Sequence, residues 1–426
     1  MRVVIIGAYG LLGGYVTARL LRDGREVMGI GRDVAAAERR FPSAEWVKAD
    51  LRRMAAADWR PLLAGADAVV NCAGALQDSP RDDLDATHRR TVSDLAQACA
   101  EAGVARFVQI SALGVEEAPG RFAETKRAAD AALSASPLDW VILRPGLVIA
   151  PAAYGGSALL RGLAGFPGAI PALWPDAIVQ TVAVEDVAEA VAWALAAPAP
   201  LRRRFDLASP EPTRLDDLLR RLRAWQGFPP APVLAAPVWL GRLAARAADG
   251  LAWLGWRSPM RTTALRQLAL GVRADASQLP PIRIRSLAEV LQACPSGAQE
   301  RWFARLYFAK PLILATLALF WAVSGLLALA RTDTSAAALV QGGLDPIAAR
   351  ALVIGGAVSD VGLAVLVAAR PTASLALKGM VLLTLGYLAG SLVWAPGLWL
   401  DPLGPLVKAV PAAVLAMAAL AMMDER

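Results

Sequence analysis

Val3-Val4-Ile5-Ile6-Gly7-Ala8-Tyr9-Gly10-Leu11-Leu12-Gly13 follows Met1-Arg2 at the start of the chain. Four branched apolar residues in a row are expected of a strand buried on both faces. The glycine-rich turn comes next, LLGGYVTARLLRDG reads as a helix stopped at Gly24, and EVMGIGR reads as a second strand. Arg2 and an apolar run also have the outline of a signal peptide, but strand, glycine turn, helix, strand is a different object. It is the context in which spaced glycines hold a pyrophosphate. The turn is tight, the backbone can approach the phosphates, and the helix N-terminus offers unpaired N–H groups and a positive dipole end. Gly7, Tyr9, Gly10, Leu11, Leu12 and Gly13 are therefore candidate nucleotide contacts, with Tyr9 expected to pack inside the turn.

The remaining signals recur in strand-then-helix order. The second strand ends in Gly31-Arg32-Asp33, where an arginine accommodates the extra phosphate of NADP and an acid favours NAD. Arg32 comes first, which favours NADP(H), and Asp33 keeps NAD open. A third strand ends at Asp50-Leu51, where an acid can reach an adenine amino group. A fourth ends at Asn71-Cys72-Ala73-Gly74, small enough for the backbone to lie beside a ribose. A fifth ends at Ser111, and a sixth at Arg144-Pro145-Gly146. Strands alternating with helical stretches predict an α/β doubly wound parallel sheet, the Rossmann arrangement, with ligands at the carboxyl ends of its strands.

Together GAYGLLG, ADL, NCAG, ISALG, FxxxK, LRPGLVIAP and VAVEDVAEAV make residues 1 to about 220 resemble the extended and atypical branch of the short-chain dehydrogenase/reductase (SDR) family. The likeness extends to NAD(P)-binding proteins related to the accessory nucleotide-binding subunit of respiratory complex I. It implies an NADP(H)-binding domain. In catalytic relatives a lysine holds the nicotinamide ribose and lowers the pKa of a tyrosine that exchanges a proton with substrate. The resemblance puts Lys126 at the lysine position and Phe122, which has no hydroxyl, at the tyrosine position. Ser111 lies at the strand end, while the family's catalytic hydroxyl falls one to three residues later, at Ala112 or Leu113. Tyr154, after the sixth strand, is a candidate replacement phenol. His88 reads as a surface or helix-start residue.

The chain has 426 residues, 56% of them hydrophobic, and a mean hydropathy of +0.44. These values direct attention to membrane spans. Residues 311–426 carry six basic and six acidic side chains, so the net +7 lies in the first 310 residues. The basic residues are dispersed and form no recognition motif, which argues against nucleic acid. Cys72, Cys99 and Cys294 form neither a CxxC nor a metal spacing, and His88 is the only histidine. A metal site or a Ser-His-Asp triad is not expected.

Three segments result: a nucleotide-binding domain over 1–230, a helical segment over 231–310, and a membrane domain over 311–426. In the middle segment Trp239, Trp253 and Trp256 are interspersed with Arg242, Arg246 and Arg257. That pattern fits a membrane interface or a packed substrate-side subdomain. Residues 311–330 are twenty residues without charge, and further spans are expected at about 351–369, 376–394 and 404–423. The quarter resembles a DoxX-like all-α, four-helix transmembrane domain. Asp360 is the acid inside a predicted span, with Ser324, Ser359 or Thr384 as expected hydrogen-bond partners. Arg301, Arg305 and Lys310 before the first span, with Arg370 and Lys378 after the second, put the nucleotide domain on the cytoplasmic side of the cell membrane.

Two functions follow as expectations. One is a membrane-anchored NADP(H) oxidoreductase acting on a small hydrophobic substrate, a quinone or a lipid carbonyl. The other is a non-catalytic nucleotide-binding subunit or redox sensor with a membrane protein partner.

Overall fold

Val3 to Ile6 are fully buried, and Arg2–Ile6 forms strand β1 in the interior of a parallel sheet. In this computed structural model, which describes residues 1–80, 82–402 and 404–423, the other strands are β2 (Glu26–Gly31), β3 (Glu45–Lys48), β4 (Ala68–Asn71), β5 (Arg106–Ile110), β6 (Asp139–Pro145) and β7 (Arg203–Leu207). Among the described residues they pair in the order β7-β6-β5-β4-β1-β2-β3, every neighbour parallel. The chain works outward from β1 to β3, then restarts at β4 and works outward the other way. The reversal between β1 and β4 is where a doubly wound sheet leaves a crevice for a ligand.

Apolar faces close both sides. Val16 and Leu20 of the helix Leu11–Arg22 pack with Val187 and Val191 of the helix Val184–Ala196 on one face. Val92 and Leu95 of Thr91–Ala102, with Ala129 and Leu133 of Arg121–Ser134, cover the other. A buried ion pair ties the sheet's far edge, Arg144 Nε donating to Asp206 Oδ1 at 2.7 Å. Arg144 also donates to Gln278 Oε1 at 2.7 Å, and Asp275 N donates to Asp206 Oδ2 at 2.8 Å.

The described chain forms two units. The first comprises Met1–Gly250 and Ser258–Ala304, the second Leu251–Arg257 and the residues from Arg305 onward. Segment 258–304 belongs to the first through specific bonds: Thr263 Oγ1 to Gln77 Oε1 at 3.2 Å, and Arg285 Nε to Asp186 Oδ1 at 2.7 Å.

The second unit is helical. Among the described residues three helices, Ala298–Ala330 (which begins in the first unit), Pro346–Ala368 and Arg370–Trp394, are long and apolar enough to cross a membrane. Pro405–Ala421 is apolar but 17 residues long, a rise of about 26 Å against a hydrocarbon core of about 30 Å. The segment between the first two spans contains the helix Thr332–Gln341. Small residues make the helix contacts, as expected where lipid offers no hydrophobic drive to associate. Ala373, Ala376, Ala416 and Ala419 are buried together. A Cβ on Gly325 would sit 2.6 Å from Ala357 O and 3.0 Å from Asp360 Cβ. Asp360 is buried, and its carboxylate accepts from Tyr387 Oη at 2.7 Å. That corrects the expected partners: Ser359 donates to Gly355 O and Thr384 to Met380 O, each within its own helix.

Candidate functional site

The parallel register puts the ends of β1, β2, β3, β4, β5 and β6 on one edge, where the candidate residues collect. At β1, Gly7 has φ +73°, a conformation that glycine adopts without strain. A Cβ there would lie 3.0 Å from Ala73 N, so the first and fourth strand ends approach each other across a glycine. A Cβ on Gly13 would overlap Gly7 O, the contact that seats the helix Leu11–Arg22 against the turn. Gly10 is exposed and caps that helix without a side chain. The first-turn N–H groups of Leu11 and Leu12 therefore have no intrahelical acceptor. A cradle of backbone donors that added Cβ atoms would crowd fits a dinucleotide pyrophosphate.

Tyr9 does more than pack. Its ring lies against Gly31, where a Cβ would overlap it, and its hydroxyl accepts from both Arg32 N and Asp33 N at 3.1 Å. The glycine turn thus holds the end of β2. Beside it Arg32 donates to Asp82 at 3.0 Å, while Arg52 grips Asp50 and donates to Pro80 O at 2.9 Å. The hydrogen bond from Arg52 holds the Asp50 carboxyl below the usual carboxylate range. Leu51 is half-buried against the core. Arg52 is an addition to the expected set, identified by its position two residues after Asp50.

At β4, Asn71 is fully buried, its Nδ2 donating to Gln109 Oε1 at 2.9 Å and its Oδ1 accepting from Ala73 N at 3.1 Å. Burial pushes the Cys72 thiol up to about 12, so it is no thiolate. Pro145 is buried beneath the loop after β5, its carbonyl accepting from Leu113 N.

Lys126 is 4% exposed, and its Nζ donates to Ile110 O at 2.9 Å. Burial lowers its pKa, and Asp130 one turn along the helix opposes that shift. A Cβ on Gly74 would stand 3.7 Å from Lys126 Nζ, so the ammonium faces the fourth strand's glycine. Ser111 does not face the same space as a free hydroxyl: its Oγ donates to Asp130 Oδ2 at 2.6 Å, in a buried pair. Burial raises Asp130 to about 6. Phe122 is half-buried against Val115, Ala118 and Ala123. Tyr154 is 43% exposed at the start of the helix Gly155–Ala164; nothing here brings its phenol to Lys126.

Of the two placements expected for His88, helix start holds and surface does not. It is 1% exposed, on the inward side of a π-helical turn, Asp85–Arg90. Its Nε2 accepts from Ala75 N at 3.2 Å and its Nδ1 lies 2.9 Å from Thr125 Oγ1, which in turn donates to Phe122 O. An acceptor Nε2 requires the proton on Nδ1, so the ring is neutral. Burial, with the charge of Lys126, lowers His88 to about 2. The Phe122 ring meets it edge-on at 5.7 Å. His88 is thus a strut between the loop after β4 and the helix bearing Lys126.

These two shifts act oppositely on stability. His88 binds a proton in the unfolded chain below about pH 6.5 and in the folded chain only near 2, so its contribution is complete above 6.5 and is lost on acidification. Asp130 binds its proton more tightly when folded, so its contribution is present below about 3.8 and is lost as pH rises through 6. Between pH 4 and 6 the slopes, each about 1.4 kcal/mol per pH unit at full effect, oppose each other. We expect the melting temperature of the full-length protein to vary little there and to fall steeply below pH 4. His88→Gln removes the acid loss; a variant as acid-sensitive as the wild type would contradict the neutral buried imidazole.

Comparison with known proteins agrees with the fold. Residues 7–198 match the NAD(P)H-binding family and residues 318–417 match the DoxX-like family. The two matches fall on separate stretches, one in the N-terminal half and one in the C-terminal quarter. Among solved structures, triphenylmethane reductase of Citrobacter sp. complexed with NADP(H) superposes on the NAD(P)H-binding fold with a TM-score of 0.53. The identity is 18%, over 69% of this chain and all of that one, a likeness of fold. A ceramide reductase of Caulobacter vibrioides is 29% identical over 188 residues, 44% of this chain and 58% of that protein. An uncharacterized protein of Mycobacterium tuberculosis is 29% identical over 236 residues, 55% of this chain. The chain spans about a quarter (24%) of the length of that mycobacterial relative. The chain thus joins a stretch similar to NAD(P)H-binding proteins to a helical stretch similar to DoxX-like proteins, the latter with helices long and apolar enough to cross a membrane.

Proposed function

We propose that the chain is a membrane-anchored, NADP(H)-preferring reductase of a hydrophobic carbonyl or quinone, working at the cytoplasmic face of the cell membrane. The observation that carries it is Lys126: an ammonium kept almost wholly out of water, one glycine away from the crevice between β1 and β4. Burying an ammonium is costly, and Ile110 O with a neighbouring carboxylate only partly offsets that. Retention at this place fits a group that holds the nicotinamide ribose. Bound nicotinamide supplies the hydride. Gly7, Gly10, Leu11, Leu12 and Gly13 would hold the pyrophosphate, Arg32 and Arg52 the adenosine end, and Asn71, Cys72, Ala73, Gly74 and Pro145 would shape the ribose and nicotinamide walls.

The paired arginines beside β2 and β3 support NADP(H) over NAD. A lipid-borne substrate is supported by the apolar helices and by the name of the Caulobacter relative, a ceramide reductase. Arg301, Arg305 and Lys310, in the first part of the helix Ala298–Ala330 and ahead of its uncharged stretch, support a cytoplasmic nucleotide domain.

One observation favours the second reading, a nucleotide-binding subunit or sensor docked on a membrane protein. The chain presents neither a phenol at 122 nor a free Ser111 hydroxyl. Titrating NADPH and NADH into full-length protein in lipid nanodiscs, then assaying quinones and lipid carbonyls, separates the readings; tight binding without turnover supports the sensor. Phe122→Tyr adds the missing phenol beside Lys126. We expect carbonyl reduction to rise about a hundredfold, the low end of general acid catalysis, with quinone rates unchanged. No gain on any carbonyl would oppose a carbonyl substrate.

A further inference from the structure

The helix Val238–Trp253 is built inside out. Its small residues Gly241, Ala245, Ala248 and Ala252 fall at i, i+4, i+7 and i+11 and are buried. Gly241 lies so close to Leu173 that a Cβ would overlap it. The large apolar side chains are on the other side: Trp239 is 66% exposed, and Leu240 and Leu243 are exposed with it. At 100° per residue, Trp239 and Leu243 lie within 40° of each other. Arg242 and Arg246, both exposed, flank them on one rim. A helix of a soluble protein turns its large apolar residues inward; this one turns them out and borders them with positive charge.

We propose that this face binds an anionic bilayer surface, lying in the headgroup layer with Trp239, Leu240 and Leu243 inserted and Arg242 and Arg246 on lipid phosphates. Two observations select the bilayer as occupant. The charge is of the right sign and place, an arginine rim beside apolar residues and a tryptophan, the pattern of interfacial helices. The helix that bears the face also runs on, in one chain, into the helical unit. Its last turn and residues 254–257 belong to the helical unit, where Arg370 N donates to Leu254 O at 2.9 Å and Trp256 Nε1 donates to Ala368 O at 2.7 Å. Ala368 ends one membrane-length helix and Arg370 begins another, and a turn between two spans lies at a membrane surface. The inference depends on the apolar helices and not on reductase activity.

The test places a nitroxide at Leu243→Cys in the full-length protein, in nanodiscs of phosphatidylcholine with or without phosphatidylglycerol. Arg60→Cys, on an exposed side chain of the nucleotide unit, is the solvent reference, and the labelled unsubstituted chain gives the background. We expect collisions with oxygen over those with a water-soluble nickel chelate to be several-fold more favoured at 243 than at 60. The difference should grow with phosphatidylglycerol and shrink in Arg242→Glu/Arg246→Glu. A label at 243 as open to the chelate as that at 60 overturns the proposal. So does a label shielded from both reagents, which would mean that protein, such as a second copy, covers the face. Both cysteine positions are exposed, so folding is not at stake.

Discussion

Gly10→Asp is expected to weaken NADPH binding at least a hundredfold while leaving the melting temperature unchanged or raised. Gly10 is exposed at the N-cap of the helix Leu11–Arg22. Its φ of −61° and ψ of −178° suit any residue, although a Cβ would stand 3.2 Å from Gly7 O, a tight contact. Aspartate is a preferred N-cap because its oxygen accepts the helix's first free N–H groups. Those are the donors we assign to the pyrophosphate. The carboxylate would take them and oppose the phosphate charge, at about 4 kcal/mol for unit charges 4 Å apart near a surface. Half of that is already more than tenfold in affinity and the whole approaches a thousandfold. Nicotinamide fluorescence in nanodiscs reads the loss, and a thermal melt reads the cap. Unchanged affinity would mean that the nucleotide lies elsewhere and would sink both functional readings.

Lys126→Met is expected to reduce turnover by about two to three orders of magnitude, within the range for losing a preorganised charged group at a reacting centre. Methionine matches the length and fills the buried space without the ammonium. Removing one partner of a buried charge pair is destabilising where it leaves the other charge uncompensated, so the outcome turns on Asp130. Ile110 O retains a donor, Gln109 Nε2 at 3.3 Å. Asp130 loses its positive neighbour and becomes more readily protonated, which its burial already favours. We therefore expect a melting temperature near that of the wild type, weaker NADPH binding, and slow reduction of quinones and lipid carbonyls. Wild-type rates in a folded variant would remove Lys126 from the nicotinamide site.

The fold was legible because its signals are local. A branched run against a glycine turn announces β1 and the helix after it, and each later strand ends in small or polar residues at the same edge. The candidate site was legible as positions, not as partnerships. Ser111 stands at its strand end as expected, but its hydroxyl is committed to Asp130, nineteen residues later, and spacing along a chain does not show that. His88 stands at a helix start as expected, but its burial was not legible for the same reason. Its neighbours, Ala75 and Thr125, come from two other elements, and a π-helical turn points the ring inward. Asp360 carried the signal of a buried acid, yet Tyr387 lies 27 residues away on the next long helix. The inside-out helix was half legible: tryptophans among arginines were visible, but which side chains face outward depends on what Gly241 packs against.

The late segment 258–304 has a consequence for how this protein is made. Thr263 bonds to a residue 186 positions earlier and Arg285 to one 99 positions earlier. During synthesis the sheet's strands are therefore complete well before the residues that finish their unit. The helix Ala298–Ala330 begins within that same segment and continues into the first membrane-length stretch. Non-local contacts are slow to form, and incompletely folded units are prone to aggregation. The ribosome thus delivers the closing piece of the first unit and the first membrane-length stretch almost together, so the completion of the one and the emergence of the other are joined by the order of the chain itself.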